Sequence, residues 1–378
     1  MSRVKTLLSG NEAVARGALD AGCSFYAGYP ISPSSEIMHI MARELPKRGG
    51  VFIQAEDELA AINMVIGASW AGARAMTATS GPGFSLMQEG LGYAVMTETP
   101  LVVVDVMRVG PATGQATKPS QGDVMQARWG RHGDQYIPVF AASNQQEAYD
   151  LTIRAFMIAE ELRTPVILLT DEFIAHGKSV VLVHRNPVEI PSRRRRLEPG
   201  ELPFHSENPL TPPPMPPLGE GFNVLVTGST HDGRGMRDTS SFEVHWKLVT
   251  RLKEKIWGNL DRLFIAELWE HGEPRIAILC YGSTCWSARE AYRRLAGEGF
   301  SVKLVKLVTL WPLDYAFLRR ALSNVDYVIV PELNLGQVYF DVAIAVGLER
   351  VVPLNKVGGG IPIYPSEIAG LAMKLLGG

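Results

Sequence analysis

Side chains that can bind anions or transfer protons follow several apolar segments in the first half of the 378-residue sequence. The stretch "YPISPSSE" carries Ser32, and "QAEDELAA" places Glu56, Asp57 and Glu58 at the start of an almost wholly apolar helix. Arg108 ends the apolar run of "LVVVDVMRVG". A carboxyl group suits proton transfer, and an arginine suits bidentate binding of a carboxylate. These residue types indicate a site for an anionic substrate.

Each of these residues also has a purely structural interpretation. Ser32 can cap a helix that starts at Pro33, because a serine hydroxyl accepts a free N–H and proline suits the first helical position. Acids in a first helical turn are electrostatically favourable, and Arg108 can form a structural salt bridge. Yet a carboxylate at the start of a buried helix would be poorly solvated unless partnered. The two interpretations stay open at this point.

The elements that would position these side chains alternate between apolar strands and amphipathic helices, which is typical of a parallel sheet. The predicted strands are "CSFYAGYP", "RAMTATS", "TPLVVVDVM" and "TPVILLTDE". The predicted helices are 11–22, 34–45, 57–72, 84–97 and 145–162. Open parallel sheets bind ligands at the carboxyl ends of their strands, which is where the candidate residues lie. A long irregular stretch after Arg108 is typical of a lid or an interface.

The chain divides into four parts. We predict an α/β domain over 1–186, a linker rich in proline and arginine over 187–221, a short connecting region over 222–273, and a smaller α/β domain over 274–378. The predicted strands of the last part are "RIAILCYGST", "SVKLVKLVTL" and "VDYVIVPE". The four arginines 193–196 are interpreted as a solvated face of the linker, with a subunit-docking strip as the alternative.

Composition excludes several classes of protein. The net charge of −2 with well-mixed charges argues against nucleic-acid binding, and no run of about 18 apolar residues indicates a membrane span. Three cysteines without a Cys-x-x-Cys pair predict neither a disulfide framework nor a metal centre, and they fit a reducing cytoplasm. His132 and His176 have no companions at metal-ligand spacing. We therefore expect no metal on this chain.

Longer motifs carry a family resemblance. An acid that opens an apolar helix, Gly67 nine positions after Glu58, and "TSGPG" resemble the pyrimidine-binding domain of thiamine-diphosphate enzymes. More closely, the chain resembles the alpha subunit of 2-oxoacid:ferredoxin oxidoreductases, especially the 2-oxoglutarate group. The motifs that carry this resemblance are "GYPISPSSEI", "RVGPATGQATKPSQGD", "GRHGD", "VTGSTHDGRGMRDT", "LVTLWPL" and "PELNLGQV".

The resemblance implies a fold and roles for residues. The fold is α/β, with a pyrimidine-binding-type parallel sheet followed by a smaller transketolase C-terminal-like domain. Glu58 is implied as the catalytic acid that hydrogen-bonds the aminopyrimidine ring, with Ser80, Gly81, Pro82 and Gly83 also binding the cofactor. Substrate contacts are implied for Ser32, where the family has threonine, for Tyr29, and for Arg108, which binds the substrate carboxylate.

A second carboxylate on the substrate would need a second cation. Lys118, Arg128 and Arg131, in the stretch after Arg108, are the candidates. If the substrate is instead pyruvate or a branched-chain 2-oxo acid, no such cation is required.

The resemblance also implies partners. The chain lacks the family's metal motif for Mg²⁺ and the cysteines for a cluster. A beta subunit is therefore expected to bring the diphosphate site, Mg²⁺ and a [4Fe-4S] cluster, in some members with gamma and delta subunits. The implied reaction converts 2-oxoglutarate and coenzyme A to succinyl-CoA and CO₂ while reducing ferredoxin. A non-redox thiamine-diphosphate decarboxylase subunit and a purely structural or regulatory subunit are the alternatives.

Overall fold

The computed structural model describes residues 3–377 and is built from β-strands and α-helices in alternation. The strands are β1 (Arg3–Ser9), β2 (Phe25–Gly28), β3 (Val51–Gln54), β4 (Ala75–Thr79), β5 (Leu101–Val109), β6 (Gln115–Pro119), β7 (Val139–Ala141), β8 (Pro165–Asp171), β9 (Lys178–His184), β10 (Ala266–His271), β11 (Ile276–Cys280), β12 (Val302–Leu307), β13 (Thr309–Trp311), β14 (Tyr327–Glu332) and β15 (Val351–Asn355). The helices are α1 (Gly10–Asp20), α2 (Ser35–Glu44), α3 (Glu58–Trp70), α4 (Gly81–Leu86), α5 (Gln88–Met96), α6 (Val124–Trp129), α7 (Gln145–Leu162), α8 (Glu172–His176), α9 (Phe242–Trp257), α10 (Leu260–Leu263), α11 (Thr284–Gly297), α12 (Tyr315–Ala321), α13 (Val338–Val346) and α14 (Pro365–Leu375).

The first sheet has the strand order β13-β7-β8-β5-β4-β2-β3, with β6 paired to β5. The pairs from β7 to β3 are parallel, whereas β13 is an antiparallel edge strand and β6 pairs antiparallel with the end of β5. Every residue of β5 is buried, as expected for a central strand covered on both faces. The prediction of an α/β fold with a parallel sheet is confirmed.

Helices cover both faces of this sheet. On one face α1, α2 and α7 contribute to an apolar core, and on the other α3, α4 and α5 pack against the sheet. The predicted helix 145–162 is confirmed, whereas the single helix predicted over 84–97 is wrong. In its place α4 begins at Gly81 and α5 follows after a break at Met87. Among residues 3–377, no helix combines the length and hydrophobicity needed to cross a bilayer.

The second sheet has the order β10-β12-β11-β14-β15. The strand predicted from "SVKLVKLVTL" is broken at Val308, whose N–H donates to the Ile265 carbonyl at 3.0 Å. Beyond the break the chain leaves the second sheet, and β13 pairs with β7 of the first. The two sheets are thus joined by backbone hydrogen bonds as well as by a shared apolar core.

The interpretation of arginines 193–196 as a solvated face is wrong for Arg193. Its guanidinium is buried and binds Glu160 through two hydrogen bonds of 2.7 and 3.0 Å, while a third nitrogen donates to the Ser69 carbonyl. A buried arginine is tolerated because its charge and donors are matched. Arg194, Arg195 and Arg196 are exposed as predicted.

Arg163 holds the proline-rich linker 187–221 in place. Its buried guanidinium donates to the carbonyl oxygens of Pro203, Pro213 and Pro214 at 2.8–3.0 Å. Prolines have no N–H, so segments rich in proline cannot satisfy their carbonyls by pairing with one another. The stretch is therefore held against the first sheet by an arginine instead of by regular secondary structure.

Candidate active site

The carboxyl ends of β2, β3, β4 and β5 meet at one edge of the first sheet. Parallel pairing aligns Gly28 with Gln54 and Thr79 with Asp105 at that edge. The turns that leave these strands carry the residues predicted from the sequence. This edge is where a doubly covered parallel sheet binds ligands.

Glu58 opens α3 and points into the interior. Asp57 is the N-cap residue, and its carboxylate accepts a hydrogen bond from the Ala60 N–H at 2.7 Å. Capping by Asp57 leaves the side chain of Glu58 free for another role. Glu58 is only 5% exposed, whereas Glu56 is exposed to solvent. Burial therefore distinguishes Glu58 as the acid with an unusual environment.

That environment raises the pKa of Glu58. Desolvation is the main cause, the neighbouring charge of Asp57 adds to it, and hydrogen bonding to its own backbone N–H and the charge of Arg108 act in the opposite direction. A carboxyl group with a raised pKa can hold a proton near neutral pH and share it with a ligand atom.

The Gly-Pro-Gly turn lies directly against Glu58. A Cβ added at Gly83 would come within 2.3 Å of both Glu58 Oε1 and Thr79 Oγ1. Gly81 and Pro82 line the adjacent cavity. Within residues 3–377, the buried hydroxyls of Thr79 and Ser80 have no hydrogen-bond partner. A ligand with ring nitrogens or an amino group would satisfy these polar atoms, as an aminopyrimidine would.

Arg108 lies at the carboxyl end of β5 and is 7% exposed. Its guanidinium donates to the backbone carbonyl of Ser32 at 2.6 Å and to that of Thr113 at 3.4 Å. Its Nε has no partner among the described residues. Both contacts are with neutral carbonyls, so the positive charge is not neutralised by them. A carboxylate is the complementary ligand for such a group.

The interpretation of Ser32 as a helix cap is wrong, whereas the predicted helix 34–45 agrees with α2 to within one residue at each end. Residues 31–34 form a turn in which the Ser34 N–H and hydroxyl both donate to the Ile31 carbonyl at 2.9 Å, and α2 begins only at Ser35. The turn uses the hydroxyl of Ser34 and not that of Ser32. Ser32 and Tyr29 are both exposed at this edge of the sheet. The Ser32 hydroxyl is therefore not needed to start the helix.

A cavity of about 430 Å³ lies beside these groups. The residues lining it include Gly81, Pro82, Arg108, Asp123, Asn334 and Gln337. Its wall thus combines the first sheet with a loop that follows β14 of the second. The structure brings together Arg108 and the Gly-Pro-Gly turn as the sequence predicts.

The three candidate cations for a second carboxylate lie in different environments. Lys118 is exposed on β6, and its aliphatic chain lies against Gly360. Arg128 forms a close ion pair with Asp341 and lies 3.7 Å above the ring of Trp311. Arg128 therefore contributes to the packing between the two sheets.

Arg131 is also engaged by the protein. It donates to the side-chain oxygen of Gln88 at 2.9 Å and to the Ala127 carbonyl at 2.8 Å. Burial lowers the pKa of Arg131 to about 10. None of the three candidates, Lys118, Arg128 or Arg131, lines the cavity that holds Arg108.

Sequence reasoning missed a buried polar network that joins the two sheets. The Asn334 amide donates to the Gln121 carbonyl at 2.7 Å and to the Tyr281 hydroxyl at 3.0 Å. Glu332 accepts from the Tyr281 hydroxyl at 2.7 Å and from the first N–H groups of α13. The polar residues of "PELNLGQV" in an apolar context were the available signal.

Two further acids were missed. Asp105 is fully buried within β5, and Asp123 lines the cavity. The signal for Asp105 was a single acid in an otherwise apolar strand, because an unpaired charge is rarely buried there.

Comparison with known proteins agrees with this geometry. Residues 16–251 match the family model described as "Pyruvate flavodoxin/ferredoxin oxidoreductase, thiamine diP-bdg", and residues 275–368 match "Pyruvate:ferredoxin oxidoreductase core domain II". The chain is 48% identical to the 2-oxoglutarate synthase subunit KorA of Methanocaldococcus jannaschii, over 93% of this chain and 95% of that protein. It is 35% identical to the ketoisovalerate oxidoreductase subunit VorB of Methanothermobacter thermautotrophicus, over 94% of each chain.

A solved structure of 2-oxoglutarate:ferredoxin oxidoreductase from Magnetococcus marinus, with 2-oxoglutarate, coenzyme A and succinyl-CoA bound, superposes with a TM-score of 0.91 at 33% identity. The match covers 98% of this chain, which spans 65% of the length of the solved chain. On these grounds the chain belongs to the 2-oxoacid:ferredoxin oxidoreductase family, and the family resemblance of its motifs is confirmed.

Proposed function

We propose that this chain is the alpha subunit of a coenzyme A-acylating 2-oxoglutarate:ferredoxin oxidoreductase. The reaction would convert 2-oxoglutarate, coenzyme A and two oxidised ferredoxins to succinyl-CoA, CO₂, two reduced ferredoxins and one proton. The observation that carries the proposal is the contact of buried Glu58 with the Gly83 turn, beside a cavity that contains Arg108. Relatives named 2-oxoglutarate synthase subunits at 44–48% identity support the choice of substrate.

Thiamine diphosphate fits the residues present. Glu58, the turn Ser80–Gly83 and the unpartnered Thr79 hydroxyl would hold its pyrimidine ring. When bound, thiamine diphosphate supplies the nucleophilic carbon that attacks a 2-oxo group and accepts the electrons left after loss of CO₂. Glu58 would hold or release a proton at the ring nitrogen, and its desolvation is what makes this exchange possible near neutral pH.

Arg108 would bind the carboxylate next to the 2-oxo group. Its contacts with the Ser32 and Thr113 carbonyls orient the guanidinium without neutralising it. The exposed Ser32 hydroxyl, on the residue whose carbonyl Arg108 contacts, would donate a hydrogen bond to the substrate, with Tyr29 three residues earlier in the chain. Because the Ser34 hydroxyl serves the turn, substrate binding and helix initiation do not compete for Ser32.

Lys118 is the candidate for the second carboxylate. Arg128 and Arg131 are both committed to contacts within the protein, whereas Lys118 is exposed on a strand that pairs with the end of β5. Its flexible side chain can extend toward a bound ligand at little cost. A substrate with one carboxylate, such as pyruvate or a branched-chain 2-oxo acid, would not need this contact.

A partner subunit would supply the remaining groups. A [4Fe-4S] cluster needs four cysteine ligands, whereas the sequence has three cysteines, all buried as free thiols. Among residues 3–377, no group of three or more His, Cys, Asp or Glu side chains is arranged to bind a metal ion. We therefore assign the diphosphate site, Mg²⁺ and the cluster to a beta subunit, with gamma and delta subunits as further members of the complex. Free thiols fit an enzyme of the cytoplasm.

The 35% identity to a ketoisovalerate oxidoreductase subunit favours branched-chain 2-oxo acids as the second candidate substrates. The decisive experiment co-expresses this chain with the beta subunit and measures methyl viologen reduction with 2-oxoglutarate, pyruvate and 2-oxoisovalerate, with and without coenzyme A. We expect CoA-dependent reduction with 2-oxoglutarate at the highest kcat/KM. Preference for 2-oxoisovalerate would select the second candidate, and decarboxylation without viologen reduction would indicate a non-redox enzyme.

A further inference from the structure

Two acids meet at the wall of the cavity, and neither has a role in the reaction described above. Asp105 lies in the fully buried central strand β5, and Asp123 ends the segment 110–123 that follows this strand. The side chains of Asp105 and Asp123 interact with each other beside Gly81, where an added Cβ would lie 3.7 Å from Asp123 Oδ2. Asp123 lines the cavity together with Arg108.

The oxygens of this pair lack other donors. Within residues 3–377, neither oxygen of Asp105 nor Oδ2 of Asp123 has a hydrogen-bond partner when both groups are treated as carboxylates. The Gly81 N–H lies close to Asp105 without completing a hydrogen bond. Two ionised carboxylates are both acceptors, so they can bond to each other only if a proton lies between them.

From this arrangement we infer that Asp105 and Asp123 share one proton and together carry a single negative charge beside Arg108. In this state the charge of the pair balances that of Arg108. Loss of the proton would place a second negative charge next to Arg108, where it competes with an anionic substrate. Asp105 and Asp123 are thus positioning residues that act through Arg108.

The surroundings favour retention of the proton. Burial and mutual repulsion raise the pKa of Asp105 well above its ordinary value, and burial also raises the pKa of Asp123. Arg108 opposes both shifts, but as one cation it can compensate only one of the two charges. A buried carboxylate pair with a single cation is stable with one proton and costly without it.

Among residues 3–377, the nearby elements add no free buried cation, because Lys118 on β6 is exposed and Arg128 on α6 is paired with Asp341. The strand β4 brings the uncharged Thr79 beside Asp105, and α4 contains no charged residue. On the other side of β5, the strand β8 places the apolar Leu169 beside Asp105. The acid of β8, Asp171, lies two residues later, and its carboxylate accepts a hydrogen bond from the Ile174 N–H. From α3, Glu58 interacts with Arg108 and adds a further acid to this edge of the sheet. The charged groups that face the pair therefore do not stabilise a second ionised carboxylate.

The first test looks for the shared proton directly and does not depend on the proposed function. Infrared spectra of the purified chain at neutral pH should contain a C=O stretch from a protonated aspartic acid that Asp105→Asn abolishes. The amide of asparagine can still donate to Asp123, so this change preserves the hydrogen bond and removes the titration. Asp134→Asn, at an exposed acid of the following loop, should leave the band unchanged. Identical bands in the parent and Asp105→Asn would overturn the inference.

The second test rests on the proposed function and uses the assembled complex at saturating coenzyme A. As the pH is raised from 7 to 9.5, KM for 2-oxoglutarate should rise in the parent and in Asp134→Asn, by at most about tenfold per pH unit, which is the limit for loss of one linked proton. In Asp105→Asn the profile should be flat, because the charge of the pair is then fixed. Asp123→Asn provides a second variant with the same expectation.

Negative results of the two tests have different meanings. A parallel rise of KM in parent and both variants would show that the pair does not act through Arg108, even if the infrared band is present. If no 2-oxo acid is turned over, the proposed function fails and the infrared result still decides whether the proton is shared.

Discussion

Glu58 and Gly83 are in such close contact that the structure has no room for a side chain at position 83. A Cβ there would lie 2.3 Å from the Glu58 carboxylate, and also 2.3 Å from the Thr79 hydroxyl. The buried acid Glu58 on the neighbouring helix therefore requires a glycine at position 83 in the strand-to-helix turn. The two residues are 25 positions apart in the sequence, and the sheet edge brings them together.

This contact predicts the effect of Gly83→Ala. The added methyl group must displace the carboxylate of Glu58, so viologen reduction by the assembled complex should fall at least tenfold, since a small displacement of a catalytic group is costly. Gly92→Ala is the matched control, because a Cβ there meets no atom within 4 Å and alanine favours a helix. Equal activities of the two variants would show that the contact does not position Glu58.

Alanine substitutions of two serines in the turn before α2 should have different effects, one on stability and the other on KM. Ser34→Ala removes a buried hydroxyl that donates to the Ile31 carbonyl, so the free energy of unfolding should fall by about 1 kcal/mol. Ser32→Ala should leave stability unchanged and raise KM for the 2-oxo acid, since its hydroxyl is exposed and its carbonyl accepts from Arg108. Urea unfolding and steady-state kinetics measure the two effects. A loss of stability in Ser32→Ala with unchanged KM would contradict the assignment.

Substrate choice should depend on Lys118. Lys118→Ala should raise KM for 2-oxoglutarate by about tenfold or more and change KM for pyruvate little, because pyruvate lacks the second carboxylate. Arg128→Ala provides the contrast, since it breaks the ion pair with Asp341 and should reduce stability without altering the ratio of the two KM values. If Lys118→Ala changes KM for both substrates equally, another residue or the partner subunit binds the second carboxylate.

A buried ion cluster should govern stability at low pH. Burial alone would raise the pKa of Glu98, but the charges of Arg251 and Lys255 outweigh it and hold the pKa well below its ordinary value. A depressed carboxyl pKa stabilises the fold above the unfolded-state value of about 4.3, and this contribution is lost as the pH falls toward the folded-state value.

The substitution Glu98→Gln tests this account. It leaves two buried cations unpaired and should reduce the free energy of unfolding at pH 7 by about 3–5 kcal/mol. Glu161→Gln, in a solvent-exposed pair with Arg262, should cost less than about 1 kcal/mol. Urea titrations of both variants at pH 7 and pH 4 provide the measurement. Equal effects of the two changes would show that the Glu98 cluster contributes no more than a surface pair.

The regular elements were the most predictable part of the fold, and α7 and the central strand β5 show why. The helix α7 has a long amphipathic run and β5 has a long, mostly apolar run, so local sequence is enough to predict their types. The break at Val308 could not be predicted in this way, because "SVKLVKLVTL" contains no glycine or proline that would mark a turn. Only the pairing of β13 with a distant strand interrupts it.

Residues that depend on distant partners were the least predictable. Arg193 resembles its three solvated neighbours in sequence, and its burial follows from Glu160, which lies 33 positions earlier. Ser32 and Ser34 both precede α2, and the turn uses the Ser34 hydroxyl, which donates to the Ile31 carbonyl and does not cap the helix. At the candidate site, strand and helix ends made Glu58 and Arg108 candidates, and the family resemblance gave them their roles, whereas Asp123 required knowledge of which segment returns to β5.

We propose Glu58 as the acid that acts on the cofactor. CoA-dependent methyl viologen reduction is measured with the assembled complex carrying Glu58→Gln and, as a control, Glu56→Gln, which changes an exposed acid two residues away. We expect a loss of at least about 100-fold for Glu58→Gln and a rate near that of the parent for Glu56→Gln, with unchanged circular dichroism for both. Turnover near the parent rate in Glu58→Gln would refute this role.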